Sequence, residues 1–173
     1  DGYLVFTPFH SNCGGQTESP EKVWLTAMPH LKSVTDPYCS YSRNARWTRH
    51  IRLNEWIKYL GDHGYEYSSE EELVFDQLSR RADYTAGIFS YPLVRIREDW
   101  ALRSTFFSVK VSEGNVILEG RGYGHGVGLC QEGAKVMADR GFRMQEIVGF
   151  YFSGLKISDI AEAKRTLELN RAF

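Results

Sequence analysis

The feature that most constrains the fold is a run of alternating glycines, Gly-Tyr-Gly-His-Gly-Val-Gly, at residues 122–128. Glycine is a poor former of both helices and strands, and it reaches backbone angles that side chains forbid. We therefore expect an ordered loop with His125 at its centre. Residues 129–140 predict a helix that ends at Gly141. The glycines would let the backbone approach a ligand, which free N–H groups at the helix start would face.

This loop does not match the loops that bind nucleotides. A P-loop ends in Gly-Lys-Ser/Thr, and a dinucleotide-binding loop lies in a parallel βαβ unit with a later acidic residue. Neither context is present here. His125 could instead carry a proton or contact sugar hydroxyls and acetamido groups, because the flanking glycines leave its ring accessible. The alternative is a histidine that only braces the loop.

The second candidate site is a turn that contains His10 and Cys13 and continues into two glycines. Two residues separate the pair, so both side chains could reach one Zn²⁺, and Cys39 or Cys130 could complete a tetrahedron. The chain has three cysteines, an odd number that cannot be wholly paired within the chain. The alternatives are a Cys13–Cys39 disulfide in an exported protein, or three inert thiols that behave as small apolar residues.

Two carboxylates, Glu18 and Glu132, lie nearest to these segments in the sequence. A glycosidase needs at least one protonated acid. Neither glutamate has a sequence context that marks it as that acid. For Glu132 the simpler interpretation is a solvated residue at the start of a helix.

The whole chain predicts an α+β fold in a single domain, with helices packed on a mostly antiparallel sheet. An amphipathic helix is expected from Asn54 onward. A second is expected over residues 69–82, where Ser69 and Glu72 have the spacing of a capping box. Strands are expected over residues 49–53, 93–97, 105–111 and 115–121, the last two as a hairpin, and a further helix over residues 144–151.

Composition argues against two classes of protein. The formal net charge of −1 provides no overall basic field for nucleic acid, so we expect no such partner. Basic residues do cluster over residues 43–52, where a solvated face is the simpler interpretation. No apolar run approaches the roughly 20 residues that a membrane helix needs. The abundant aromatic residues can fill a core, but they also offer flat faces for carbohydrate rings.

Two stretches of the sequence match a known pattern. The first is Phe-His-Ser-Asn-Cys-Gly-Gly-Gln-Thr-Glu at residues 9–18 with Asp-Pro-Tyr-Cys at 36–39, and the second extends from the glycine loop to Ala138. Together they resemble the domain family of stage II sporulation protein D (SpoIID) and the amidase enhancer (LytB). Residues 141–154 are similar to the family's final helix and its glycine-ended closing segment. The resemblance runs from residue 3 to about 157 and is weakest over 42–100.

This resemblance implies a bacterial cell-wall function outside the cytoplasm, with peptidoglycan glycan strands as the ligand. The sporulation branch resembles a lytic transglycosylase, which cleaves the MurNAc–GlcNAc bond of strands without stem peptides and leaves a 1,6-anhydro sugar. One acid protonates the glycosidic oxygen there and then, as a base, takes the proton of the muramic 6-hydroxyl. The other branch is described as stimulating a cell-wall amidase, so an amidase or another cell-wall hydrolase is an implied partner.

Carried over residue by residue, the resemblance assigns eight residues to the two walls of a glycan groove. One wall has His10, Ser11, Gly14, Gly15 and Thr17, and the other has His125, Gly126 and Gln131. Some family members bind zinc near the first motif, which implies His10 and Cys13 as ligands, with Cys39 and Cys130 to complete the site.

The resemblance also describes a catalytic glutamate on an upstream helix that has no counterpart in this sequence. We therefore expect residues 1–160 to be the C-terminal portion of a SpoIID-like domain, followed by a tail over 161–173. His125 is then an assisting residue rather than the catalytic acid.

Two other functions are compatible with these motifs. A non-catalytic module would bind glycan strands or an amidase and cleave nothing. A zinc-dependent hydrolase would need an open metal position for water, which four protein ligands would exclude.

Overall fold

The computed structural model describes residues 4–171, and side chains as far as residue 165. It has an α+β fold with mostly antiparallel strands in one domain, as predicted. In chain order its elements are β1 (Phe9–His10), α1 (Glu21–Trp24), β2 (Arg46–Arg52), α2 (Leu53–Asp62), a 3-10 helix (Glu71–Leu73), β3 (Asp83–Ala86), β4 (Phe89–Pro92), α3 (Leu93–Asp99), β5 (Phe107–Ser112), β6 (Asn115–Arg121), β7 (Leu129–Cys130), α4 (Gln131–Asp139), α5 (Met144–Tyr151) and α6 (Ile160–Arg171).

The largest sheet has three antiparallel strands in the order β2-β6-β5. β5 and β6 form the predicted hairpin, and both turn residues, Glu113 and Gly114, have positive φ. Near the end of β6, Gly120 lies opposite Trp47 of β2. A Cβ on Gly120 would lie 1.9 Å from the Trp47 ring, so only glycine leaves space for this indole.

A first hydrophobic core lies between this sheet, helices α2 and α3, and the β3–β4 hairpin. Its centre is Trp56 on α2, which is fully buried. The Trp56 ring lies 5.7–5.9 Å, between centroids, from the rings of Tyr59, Tyr84 and Trp100. The predicted helix from Asn54 is confirmed, and it begins one residue earlier.

Two predictions in the middle of the chain are wrong. The helix predicted over 69–82 is a single 3-10 turn, and Phe75 instead bridges to Val109 of β5. Tertiary contacts hold this segment extended, since the Gln77 amide donates to the carbonyls of Thr105 and Phe107, each at 3.0 Å. The strand predicted over 93–97 is helix α3, whose buried Leu93 and Ile96 have helical spacing.

A second core, poorer in regular structure, lies under the two motif segments. Parallel pairing of the two-residue strands β1 and β7 joins these segments, and helices α4 and α5 cover them. Both helices lie where the sequence predicted them. The second core also contains all three cysteines.

Helix α6 extends over most of the predicted C-terminal tail. The domain boundary expected after residue 160 stays a prediction. Within residues 4–171, no helix has both the length and the apolar character to cross a membrane.

Candidate functional site

The two motif segments lie side by side in the structure. Besides the β1–β7 pair, single bridges connect Asn12 to Tyr123 and Glu18 to Val127. A Cβ on Gly122 would lie 2.6 Å from the carbonyl oxygen of Asn12, which no side chain tolerates. At this position, the close approach that glycine permits is between two segments of the same chain, rather than between backbone and ligand.

The eight residues predicted to line a glycan groove differ widely in exposure. His10, Gly14, Thr17 and Gly126 are buried, Ser11, Gly15 and His125 are half-buried, and Gln131 is exposed. Thr17, for example, supports the backbone, because its hydroxyl accepts a hydrogen bond from the Val34 N–H at 2.7 Å. A ligand on this surface would meet the half-buried and exposed members of the set.

His125 is held by the backbone through both ring nitrogens. The Val127 N–H donates to Nδ1 at 3.1 Å, so Nε2 carries the proton and donates to the Phe9 carbonyl at 3.0 Å. Burial lowers the pKa of His125, which also favours this neutral form. With both nitrogens occupied, His125 braces the loop in this structure, and its ring face is what remains for contacts.

That ring face belongs to a row of aromatic side chains. Trp24, at the end of α1, lies 5.2 Å from His125 between ring centroids, and Phe6 lies 5.8 Å from Trp24. Trp24 is half-buried and Phe6 is 59% exposed. Flat, partly exposed aromatic faces are typical of surfaces that stack on sugar rings.

His10 also lies next to His125, with 5.5 Å between the ring centroids. Its Nδ1 donates to the Val127 carbonyl at 3.1 Å, which leaves the buried Nε2 without a hydrogen-bond partner. Burial lowers the pKa of His10 to about 3, so the ring is neutral. His10 is not part of the group that could hold a metal.

That group consists of Cys13, Asp36, Cys39 and Cys130, all fully buried. The structure thus brings the three predicted cysteines together, but Asp36 occupies the position that the sequence analysis gave to His10. The Cys13 sulfur lies 3.3 Å from that of Cys39 and 3.2 Å from Asp36 Oδ2. Asp36 precedes Cys39 by three residues, a local ligand spacing that could have identified it.

The thiols in this group differ in their pKa values. Hydrogen bonds from Cys13 and Cys130 lower the pKa of Cys39 to about 2. Hydrogen bonding to Cys130 and Cys39, together with burial, raises the pKa of Cys13. Cys39 is therefore the thiol that ionises most readily in this buried group, and a bound cation would stabilise its thiolate.

The donor set fits a tetrahedral ion such as Zn²⁺. Bonds of about 2.3 Å from zinc to sulfur imply roughly 3.8 Å between ligand atoms, and these ligand atoms all lie within 4.8 Å of one another. Asp36 is also oriented from outside the group, since the Tyr151 hydroxyl and the Tyr38 N–H each donate to it at 2.8 Å. All three cysteines are free, and their segments come from three separate parts of the chain.

Glu132, in the first turn of α4, is the centre of a polar network. Its carboxylate accepts hydrogen bonds from Asn12 at 2.7 Å, Asn44 at 2.5 Å and Ser11 at 3.4 Å, and also from the Ser42 hydroxyl. Burial opposes ionisation, but these hydrogen bonds outweigh it and hold the pKa of Glu132 below its usual range. Glu132 is therefore an ionised, fixed carboxylate rather than the solvated residue that the sequence suggested.

Arg80 is a site residue that the sequence analysis did not identify. It is buried, and it donates to the carbonyls of Cys13 and Gln16, each at 2.7 Å. Its guanidinium lies 3.8 Å from the buried Glu18 carboxylate and 4.7 Å from the centre of the Phe106 ring. Glu18 is thus paired with a cation, and Arg80 fixes the backbone that carries the first motif.

Comparison with known proteins gives three informative relatives, although no family model matches the chain. The chain is 34% identical over 157 residues to stage II sporulation protein D of Bacillus amyloliquefaciens, in a match that covers 87% of this chain and 44% of that protein. It is 33% identical over 153 residues to the protein of the same name from Bacillus subtilis (strain 168), with the same coverage of 87% and 44%.

The amidase enhancer of Bacillus subtilis (strain 168) is a more distant relative. It is 24% identical over 213 aligned residues, which cover 91% of this chain and 30% of that protein. The chain spans less than half the length of each of these relatives.

Proposed function

Because the chain belongs to the SpoIID/LytB-like family of stage II sporulation protein D and the amidase enhancer, we propose that it binds peptidoglycan glycan strands outside the cytoplasm. The reaction that we assign to it is lytic transglycosylation of strands without stem peptides. Its product is a strand that ends in a 1,6-anhydro sugar.

The observation that carries this proposal is the partly exposed aromatic row of Phe6, Trp24 and His125 beside the glycine loop. The apolar face of a pyranose ring can stack on such side chains. Beyond this loop, Gln131 is exposed and Ser11 is half-buried, so their polar atoms are positioned to meet sugar hydroxyls or acetamido groups. A long saccharide needs both kinds of contact.

Transglycosylation also needs a protonated acid at the glycosidic oxygen. Glu132 is ionised and Glu18 is paired with Arg80, so neither is suited to donate that proton. In this proposal the present residues hold and orient the strand. The proton comes from the upstream glutamate that the family resemblance describes.

The engagement of the Glu18 and Glu132 carboxylates also favours a second candidate function. A site whose own carboxylates are committed to an ion pair and a hydrogen-bond network can bind a strand without cleaving it. Such a module would act by presenting glycan to a cell-wall amidase, in keeping with the name of the more distant relative.

We further propose that Cys13, Asp36, Cys39 and Cys130 hold Zn²⁺. When bound, the ion would supply a structural link between three chain segments. Four protein ligands complete a tetrahedron and leave no position for an activated water, so the proposal assigns zinc no step in the chemistry.

The test combines binding and product analysis. Stem-peptide-free glycan strands are incubated with this chain alone and with this chain preceded by the family's upstream catalytic segment, and the products are identified by mass spectrometry. We expect both forms to bind glycan and only the extended form to produce anhydro ends. Trp24→Ala should weaken binding about tenfold through loss of the stacking face, whereas replacing the fully exposed Tyr41 by Ala should not.

The two candidate functions are then separated by an amidase assay. Glycan binding with no cleavage by either form, together with faster stem-peptide release by an added amidase, would move the assignment to the enhancer module. Absence of glycan binding by the chain would reject both functions.

A further inference from the structure

A cleft rich in arginine lies at the outer edge of the main sheet. It encloses about 360 Å³ and is formed by two segments, one from β2 and one that follows α3. Three arginines line it, Arg46 and Arg49 from β2 and Arg103 from the other segment. All three are exposed. Arg46 and Arg49 belong to the basic stretch that the sequence predicts to be a solvated face.

Within the part of the chain that the structure describes, none of these three arginines forms an ion pair. Among the described residues, the arginines that form ion pairs are others: Arg80, Arg95 and Arg143. Arg46 even lies directly opposite Arg121 in the β2–β6 ladder. Like charges facing each other across two strands are destabilising, so an anionic ligand would relieve an existing cost here.

The two segments at the cleft are hydrogen-bonded to the glycine loop. The Gly124 N–H donates to the Arg103 carbonyl at 2.9 Å, and the Gly122 N–H donates to the carbonyl of Ala45, next to Arg46, at 3.1 Å. The Arg103 guanidinium lies 6.0 Å from the ring centre of Tyr123, which is 47% exposed. A glycan strand on the loop could therefore extend into the cleft.

We propose that this cleft is a subsite for the lactyl carboxylates that muramic acid residues carry once their stem peptides have been removed. The proposal rests on the glycan-binding function proposed above. Amide hydrolysis leaves a free carboxylate at each such residue, whereas an attached stem peptide leaves a neutral amide at the same position. Because the planar guanidinium donates two parallel hydrogen bonds to a carboxylate, Arg46 and Arg103 would select stripped strands over substituted ones.

The test compares two glycan ligands that differ in this one group. One is a stripped muramic-acid-containing oligosaccharide, and the other is the same oligosaccharide with its lactyl carboxylates converted to methylamides. Affinities are measured by titration calorimetry for the wild type, for Arg46→Gln/Arg103→Gln, and for Lys110→Gln. Lys110 lies on β5 at the opposite edge of the same sheet, where it pairs with Glu119, so this control removes a cation that does not line the cleft.

We expect the wild type and the Lys110→Gln variant to bind the carboxylate form about tenfold more tightly than the methylamide, as expected for one charge-assisted hydrogen bond. The double glutamine variant should bind both forms equally, at the wild-type affinity for the methylamide. Circular dichroism checks that the double glutamine variant folds. The Arg46→Lys/Arg103→Lys variant keeps both positive charges but loses the planar guanidinium groups, so it should retain part of the preference for the carboxylate form.

The outcomes separate this inference from the proposed function. Equal wild-type affinity for the two forms would overturn the carboxylate subsite while leaving glycan binding in place. No binding of either form would overturn the proposed function itself. Poly(glycerol phosphate) is titrated in parallel, and if it binds more tightly than the glycan and depends on the same two arginines, the cleft is a phosphate site and the carboxylate assignment is wrong.

Discussion

The two cores of this domain are stabilised by different means. The first consists of aromatic and aliphatic side chains on strands and helices, with three tryptophan rings among them. The second is formed largely by loops and two-residue strands, and its centre is three thiols and a carboxylate. One core depends on apolar area removed from water, whereas the other surrounds polar groups that need a partner.

This difference explains where the candidate site lies. A core made of helices and strands provides a rigid scaffold. Loops attached to it can position polar side chains, because the hydrogen bonds of a sheet do not constrain the loop backbone. Arg80 connects the two cores, since its segment borders the first and its guanidinium holds the loop of the second. We therefore expect damage to the first core to unfold the domain, and damage to the second to affect the site first.

The largest effect is expected for Trp56→Ala. Removal of this fully buried indole leaves a cavity among Tyr59, Tyr84 and Trp100, which should lower the free energy of unfolding by about 3–5 kcal/mol. Urea denaturation followed by circular dichroism measures the loss. Leu78→Ala, at a position that is 92% exposed, is the control and should change the free energy of unfolding by less than about 0.5 kcal/mol. A loss below 1 kcal/mol for Trp56→Ala would contradict the assignment of this residue as the centre of the core.

The next effect is specific to the second core. If Cys13, Asp36, Cys39 and Cys130 bind Zn²⁺, free zinc at a hundred times its dissociation constant should raise the free energy of unfolding by about 2.7 kcal/mol. Thermal melts with zinc or with a chelator measure this change.

Two variants show whether the response belongs to the cysteine group. Cys39→Ser should lose most of the zinc response, whereas replacing its exposed neighbour Ser40 by Ala should keep it. If zinc leaves the melting temperature of the wild type unchanged, the buried thiols are structural apolar residues and the contrast between the cores is smaller than we propose.

Sequence reasoning succeeded where a segment carries its own signal. The glycine loop, α4, α5 and the β5–β6 hairpin all have local residue patterns that determine their structure. It failed over residues 69–82, where a capping-box spacing predicted a helix but the hydrogen bonds of Gln77 to the β5 region hold the chain extended. Tertiary contacts decide such a segment, and a local pattern contains no information about them.

The candidate site, too, could be predicted from local sequence patterns only in part. The three cysteines were found as a group because they are few, and Asp36 was missed because aspartate in a turn has an ordinary structural explanation. Arg80 lies 67 residues from the carbonyl of Cys13 that it binds, so no local spacing could connect them. Glu132 was found, but its ionised state depends on donors from residues 11, 12, 42 and 44.

The smallest effect that we predict is a pH dependence that comes from His10 in the second core. Its pKa is lowered to about 3 by burial, whereas in the unfolded chain the pKa is near the ordinary histidine value of 6.5. Between these values the unfolded state binds a proton that the folded state does not. The stabilisation is therefore complete above pH 6.5 and is lost progressively as the pH falls towards 3. From pH 6.5 to 5.5, this group should lower the free energy of unfolding by about 1 kcal/mol.

His10→Asn removes the titration and keeps a donor for the Val127 carbonyl, which now accepts from Nδ1 at 3.1 Å. Urea titrations at pH 6.5 and 5.5 should therefore give a smaller acid loss for the variant than for the wild type, by about 1 kcal/mol. Any contribution of the carboxylates or the thiols is common to both proteins and cancels in this difference. Equal losses would mean that the His10 ring is solvated or protonated in the folded state, and the second core would then be less tightly packed around the first motif than its buried side chains indicate.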